Sequence, residues 1–278
     1  EDYIMNIIKR VPLILIVLIS ILITGCSPRE SASEVAKKYT DRVNSGDYET
    51  AYDLLSKDTK KKVSLERFKE YQDVLIETRK VIGYKLGKEE NIEKYKYDKK
   101  EYKNLIKLEE IYDIKDMLSR KKKSLKIDRY FVVENNRYKL LWHKNFKSNL
   151  SSRYLDFVYL KLEEFSEASF KEIAILLKKA TAADPSNSDL YYIEASNYMY
   201  LDDYDNALLP INNCLKYLDK KSSNYKKKAS DAYNLKGVIL MCNKKYDDAK
   251  IFLNKSLDIN QNNDDAKYNL NTIKNDLE

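Results

Sequence analysis

Three stretches in the second half of the chain align with one another, and a chain that repeats itself at this period folds as a stack of similar units. "SFKEIAILLKKATAADPSN", "DDYDNALLPINNCLKYLD" and "KKYDDAKIFLNKSLDINQNN" carry an aromatic residue at one shared place: Phe170, Tyr204 and Tyr246. The first step is 34 residues and the second 42, so about eight residues are inserted, assigned to "KKSSNYKK" between helices. Small residues recur where paired helices must cross, Ala195 with Ala207 and Gly237 with Ala249; Lys161 holds that place in a degenerate first unit. Tyr204 and Tyr246 are expected to plug the turn between helices, and Pro185 to stop a helix. Pro210 falls inside an expected helix and should kink it or delay its start. The units are 154–187, 188–229 with the insertion, and 230–263, followed by a capping helix at 264–278 and preceded by a linker at 148–153.

This pattern resembles a tetratricopeptide-repeat array, an all-α solenoid whose first helices line a concave groove. The resemblance places Tyr192, Ser196, Tyr200, Asn234, Val238 and Met241 on that groove. Tyr and Met suit adaptable protein contacts. No Lys or Arg is among the six, which argues against clamping a peptide's C-terminal carboxylate. A groove covered by the chain's own first half is the competing reading.

The first half has a different rhythm. Val35, Ala36, Tyr39 and Val43 recur at helical spacing until Gly46-Asp47 interrupts them, and Tyr48, Ala51, Tyr52 and Leu55 form a second stripe. Ser64 suits the N-cap of a helix presenting Leu65, Phe68, Tyr71 and Leu75. "RKVIGYKLG" has strand character. In "EYKNLIKLEEIYDIK", Tyr102, Ile106, Leu108, Tyr112 and Ile114 share one parity, which predicts a long strand with one buried face, with a helix as the competitor. Two β-rich runs then flank Asn135-Asn136, a pair that tolerates the positive φ of a two-residue hairpin turn. Helices followed by a meandering antiparallel sheet make an α+β domain over 31–147.

Gly46-Asp47-Tyr48, Tyr52 to Leu55, Phe68, Tyr71 and Trp142 carry a second resemblance. Residues 31–147 look like the cone-shaped nuclear-transport-factor-like fold, and are similar to the N-terminal domain of methicillin-resistance-type penicillin-binding proteins. Leu141 and His143 stand where that family has acidic residues around the Trp. The resemblance implies a fold and no reaction, and links to cell-wall assembly by analogy alone. Tyr39, Tyr52, Phe68, Tyr71 and Trp142 would line a cone mouth that holds a small ligand, or would simply be core.

The N-terminus reads as a targeting segment. Lys9 and Arg10 precede "VPLILIVLISILI", which is shorter than the roughly 20 apolar residues of a membrane span. "ITGC" resembles the lipobox of bacterial lipoproteins. It implies a signal peptide at 1–25, a lipidated tether at 26–30 and a diacylglyceryl group on Cys26, with an uncleaved signal anchor as the alternative. Each buried acyl methylene contributes about 0.8 kcal/mol, so several chains hold a domain stably on the outer face of the cytoplasmic membrane.

Charge divides the chain. Residues 26–150 hold 31 Lys/Arg against 22 Asp/Glu, and residues 151–278 hold 18 against 20. A basic first domain near a bilayer can lean on anionic lipid or polymer, and a lysine-rich composition accounts for it equally. His143 is the sole histidine and there is no CxxC pair or Cys/His cluster, so a zinc site or a Ser-His-Asp triad is close to excluded. Cys214 and Cys242 look like packing residues. Five scattered glycines make no phosphate loop. Glu89-Glu90, Glu109-Glu110, Asp202-Asp203 and Asp247-Asp248 are read as turns or solvated faces. The expected function is a non-enzymatic lipoprotein scaffold for an unidentified envelope protein, with no cofactor and no nucleic acid. The alternative is a ligand-binding or catalytic cone domain with the repeats as accessory. Two or more buried, converging polar groups inside the cone would favour that alternative.

Overall fold

Ser31 opens the first helix in the computed structural model, which describes residue 28, residues 30–142 and residues 145–277. The signal segment, Cys26 and His143 lie outside these residues. The Ser31 hydroxyl accepts from the Glu34 amide at 3.2 Å, and the Glu34 carboxylate accepts from the Ser31 amide at 2.7 Å, a reciprocal cap for α1 (Ala32–Asn44). Gly46, at φ 77°, ends that helix, with the Asp47 amide returning to the Arg42 carbonyl at 2.9 Å. Asp47 caps α2 (Tyr48–Asp53) and Ser56 caps α3 (Lys57–Lys60). The Ser64 hydroxyl accepts from the Arg67 amide at the start of α4 (Leu65–Thr78), as its sequence position predicts.

Four strands follow, β1 (Arg79–Tyr97), β2 (Lys100–Asp116), β3 (Lys122–Glu134) and β4 (Arg137–Leu141), adjacent in chain order. Strands β3 and β4 pair antiparallel, with Tyr130 opposite Leu141 and Glu134 opposite Arg137. Asn135 and Asn136 stand at φ 50° and 57°, the two-residue turn expected between them. The contested segment is a strand, and its parity holds from Ile106 to Ile114. Tyr102 departs from it. Asn104, at φ 52°, breaks the alternation as a β-bulge does, so Tyr102 lies with Leu105 against Tyr97, Val132 and Leu141.

The second half is helical throughout: α5 (Phe146–Leu162), α6 (Glu167–Ala183), α7 (Ser188–Tyr200), α8 (Tyr204–Tyr217), α9 (Tyr225–Cys242), α10 (Tyr246–Ile259) and α11 (Asp264–Leu277). Residues 148–153 are not a linker; they lie within α5, where Leu150 and Ser151 are buried. Pro210 does not delay α8, because Asp203 caps the helix at Tyr204 and the proline ring is buried further along it. Ala195 and Ala207 share one apolar cluster. A Cβ on Gly237 would stand 2.6 Å from the Leu253 Cγ, so only glycine lets α9 and α10 approach this closely. Tyr204 and Tyr246 each pack against the cluster of their own hairpin, as their place predicts.

The eight-residue insertion is divided. Helix α9 has 18 residues against 13 in α7, and the extra five form its first turn, Tyr225 to Ala229. The α8–α9 connection supplies the rest, seven residues (218–224) against four (184–187) between α6 and α7. Each hairpin turn holds one non-glycine residue at positive φ: Phe165 at 40°, Asp202 at 53° and Lys244 at 58°.

By internal contacts the described residues form two compact units. One gathers those through Gln72 with Val81–Ile114 and 122–142; the other gathers Asp73–Lys80, Lys115–Lys121 and 145–277. No helix among the described residues is long and apolar enough to cross a membrane.

Candidate functional site

Inside the α+β domain the five aromatics named from sequence come together on two rings. Tyr39 and Tyr52 meet Phe68 at 6.3 and 5.7 Å between centroids, Phe68 meets Trp142 at 4.9 Å, and Tyr71 meets Trp142 at 5.0 Å. Phe68 and Trp142 are buried, and Tyr39 and Tyr71 nearly so, which gives edge-to-face core packing. Trp142 itself is fastened at its backbone: its amide donates to Thr59 at 3.1 Å, and its carbonyl accepts from the Tyr97 hydroxyl at 2.6 Å.

Beside this core lies a polar cluster that sequence reasoning missed. Glu110 was assigned to a solvated face, and it is fully buried. Its carboxylate accepts from Arg129 Nε at 2.8 Å, from the Tyr112 hydroxyl at 2.8 Å and from the Tyr84 hydroxyl at 3.2 Å. Thr40 reaches the Tyr112 hydroxyl at 3.0 Å, Gln72 donates to the Tyr39 hydroxyl at 3.4 Å, and the Arg129 guanidinium lies 5.7 Å over the Tyr39 ring. Burial works to lower the Arg129 pKa, but Glu110, Tyr112 and Tyr39 together outweigh it and the net shift is upward. Burial, with Arg129 opposing and Glu110 assisting, leaves Tyr112 raised to about 12. The signal was in the parity. Glu110 sits in register with Ile106, Leu108, Tyr112 and Ile114, and a carboxylate on a buried face requires a cation.

In the array the first helices are fastened side by side. Lys228 on α9 donates to both Asp189 oxygens on α7, at 2.7 and 2.8 Å, and Asn269 on α11 donates to Asn234 on α9 at 2.9 Å. The groove residues named from sequence occupy this set of helices but do different work. Tyr192 is half-buried beside the Ala195 cluster and is raised to about 12, first by burial and then by Asp231. Ser196 returns its hydroxyl to the Tyr192 carbonyl, and Asn234 is the acceptor for Asn269. Tyr200 stacks on Phe170 at 4.8 Å and meets Phe165 edge-on, so it joins α7 to α6 while staying 57% exposed. Met241 packs against the Leu253 cluster, and Val238 is half-buried.

A cavity of about 230 Å³ opens in the array, with Tyr159, Tyr192, Ile193 and Leu218 as apolar wall and Asp189, Lys228 and Asp231 as polar wall. Cys214 also borders it as a free thiol, raised to about 12 by burial. Cys242 is an exposed free thiol. Among the described residues no group of three or more His, Cys, Asp or Glu side chains is placed to hold a metal ion.

No family model matches the chain, and no curated protein does. Among solved structures the first tetratricopeptide-repeat domain of Spaghetti (RPAP3), bound to the HSP90 peptide SRMEEVD, is similar. It shares 24% identity over 46% of this chain and 94% of that one, with a TM-score of 0.38. A superposition this loose fixes neither family nor ligand for the chain.

Proposed function

We propose that this chain is a membrane-tethered adaptor without catalytic chemistry, acylated at Cys26 and held on the outer face of a bacterial cytoplasmic membrane. Its helical array takes a protein partner on the face made by α7, α9 and α11. The observation that supports this reading most is the pair of cross-helix contacts, Asp189 to Lys228 and Asn234 to Asn269, which hold those three helices in one surface. The "ITGC" motif supports the tether. Metabolic labelling with a clickable fatty acid tests the anchor: native chain should carry label, and label on a Cys26→Ser variant would refute it. Mild crosslinking and co-purification tests the groove, with loss of the captured protein expected in a Tyr192→Ala, Tyr200→Ala double variant.

One observation favours a second reading, in which the α+β domain binds a small ligand: buried polar groups do converge on Glu110. They also satisfy one another, as a structural cluster would. A ligand there should displace the Tyr84 hydroxyl, so a Tyr84→Phe change would alter ligand-induced thermal shifts without unfolding the domain.

A further inference from the structure

The cavity of the array has an unbalanced wall. Lys228 is committed to Asp189 through two short contacts. Asp231, one turn along α9, has no ion pair or hydrogen bond among the described residues. Burial raises its pKa; exposed Lys227 nearby opposes the shift, and Asp265 at the start of α11 adds to it. The same Asp265 and Asp231 also raise Tyr192. A half-buried carboxylate with a second one close by, facing a space of about 230 Å³, is a lining that suits a cation. The rest of the wall suits the stem of a long cationic side chain, since Tyr159, Ile193 and Leu218 offer apolar surface to methylenes.

From these features we infer that the array recognises a basic segment of its protein partner, one lysine or arginine side chain entering this cavity with Asp231 as its counter-ion. The inference rests on the groove reading above and adds the chemistry of the ligand. Asp189 supplies a second, partly neutralised carboxylate, and Tyr192 flanks the incoming stem. A segment ending in an acidic motif would meet like charge here and be rejected.

The test uses the full chain in detergent micelles and three fluorescein-labelled decapeptides of glycine and serine, carrying three lysines, three acetyl-lysines or three glutamates. The lysine peptide should bind, with affinity falling as salt is raised, and the other two should not. Asp231→Asn should weaken the lysine peptide at least tenfold, while Asp205→Asn, an exposed change on α8, should leave it as it was. Asp231→Lys should transfer preference to the glutamate peptide. Equal binding of lysine and acetyl-lysine peptides, or an Asp231→Asn variant that binds like the parent, overturns the inference. If the crosslinked partner is lost from the Tyr192, Tyr200 double variant yet kept by Asp231→Asn, the groove stands and its basic ligand falls. If the lysine peptide depends on Asp231 while the partner survives the double variant, the cation site stands and the groove assignment falls.

Discussion

Glu110 in the α+β domain and Asn263 in the array are both buried and both gather several hydrogen bonds, yet they draw them from different kinds of neighbourhood. The Glu110 charge gathers side chains from β1, β2 and β3, and α1 and α4 join the surrounding cluster through the Tyr112 and Tyr39 hydroxyls. Asn263 reaches only the hairpin before it. Its amide donates to Ser230 on α9 at 2.8 Å and Ser256 on α10 at 3.0 Å, while its carbonyl oxygen accepts from the Ala266 amide at the start of α11. The first arrangement ties a whole domain to one point, and the second passes stability from neighbour to neighbour. Damage should therefore be global in one half and local in the other.

The largest expected effect tests the global half. Glu110→Ala leaves Arg129 buried without its counter-charge and should cost about 3–5 kcal/mol in urea unfolding. Replacing the pair by Leu and Met should recover most of that loss. A single variant costing under about 1 kcal/mol would break the comparison. Asn263→Ala removes a helix cap and two hydrogen bonds to buried hydroxyls, for about 2–3 kcal/mol. Hydrogen exchange should quicken in α9, α10 and α11 and stay unchanged in the strands. Gly237→Ala forces a methyl against Leu253 and should cost about 1–3 kcal/mol with the same local footprint, read by thermal melting.

A smaller pair of substitutions compares how each half closes its helices. Gly46 and Lys244 hold the same left-handed position after α1 and α9, and the following amide returns to the helix in both, Asp47 to Arg42 and Lys245 to Leu240. Lys244→Gly should raise the melting temperature by relieving about 1 kcal/mol, and Gly46→Ala should lower it by a similar amount. The smallest effect is one of sign, since both carboxyls concerned are half-buried and keep contact with water. Hydrogen bonds from Lys100 and Tyr102 hold Asp58 well below its ordinary pKa. The stability it contributes is present above the unfolded value and is lost as pH falls through the folded one. Asp231 is shifted upward, so acid relieves its burial instead. Acid titration followed by domain-resolved exchange should weaken the α+β domain first.

Legibility in the sequence followed how local each cause is. The Asn135-Asn136 turn, the Ser31 and Ser64 caps and the small residues at helix crossings act over a few positions or at a fixed period, and their residue types announce them. Asn104 did not announce its bulge, because asparagine at positive φ is ordinary in turns and nothing nearby marked one. Glu110 was hidden because its charge suggests solvent while only its parity marks a buried face, and its partner Arg129 lies on another strand. The 148–153 segment, expected as a linker, is helical because α5 buries Ser151 and turns the Ser152 hydroxyl back onto the Ser148 carbonyl. In the candidate site, Tyr192 was named through the tetratricopeptide resemblance, and it lines the cavity. Asp189, Lys228 and Asp231 were not named, since they become neighbours only when hairpins stack.

The added first turn of α9 has a consequence for the cavity. Lys228 lies within it, so a version of this chain with the insertion trimmed to the 34-residue step would have no cation opposite Asp189. Both aspartates would then stand open to the same space. The length of a surface insertion thus acts as a dial on electrostatic appetite: lengthening it by a turn quenches one of two negative charges and leaves room for a single incoming positive one.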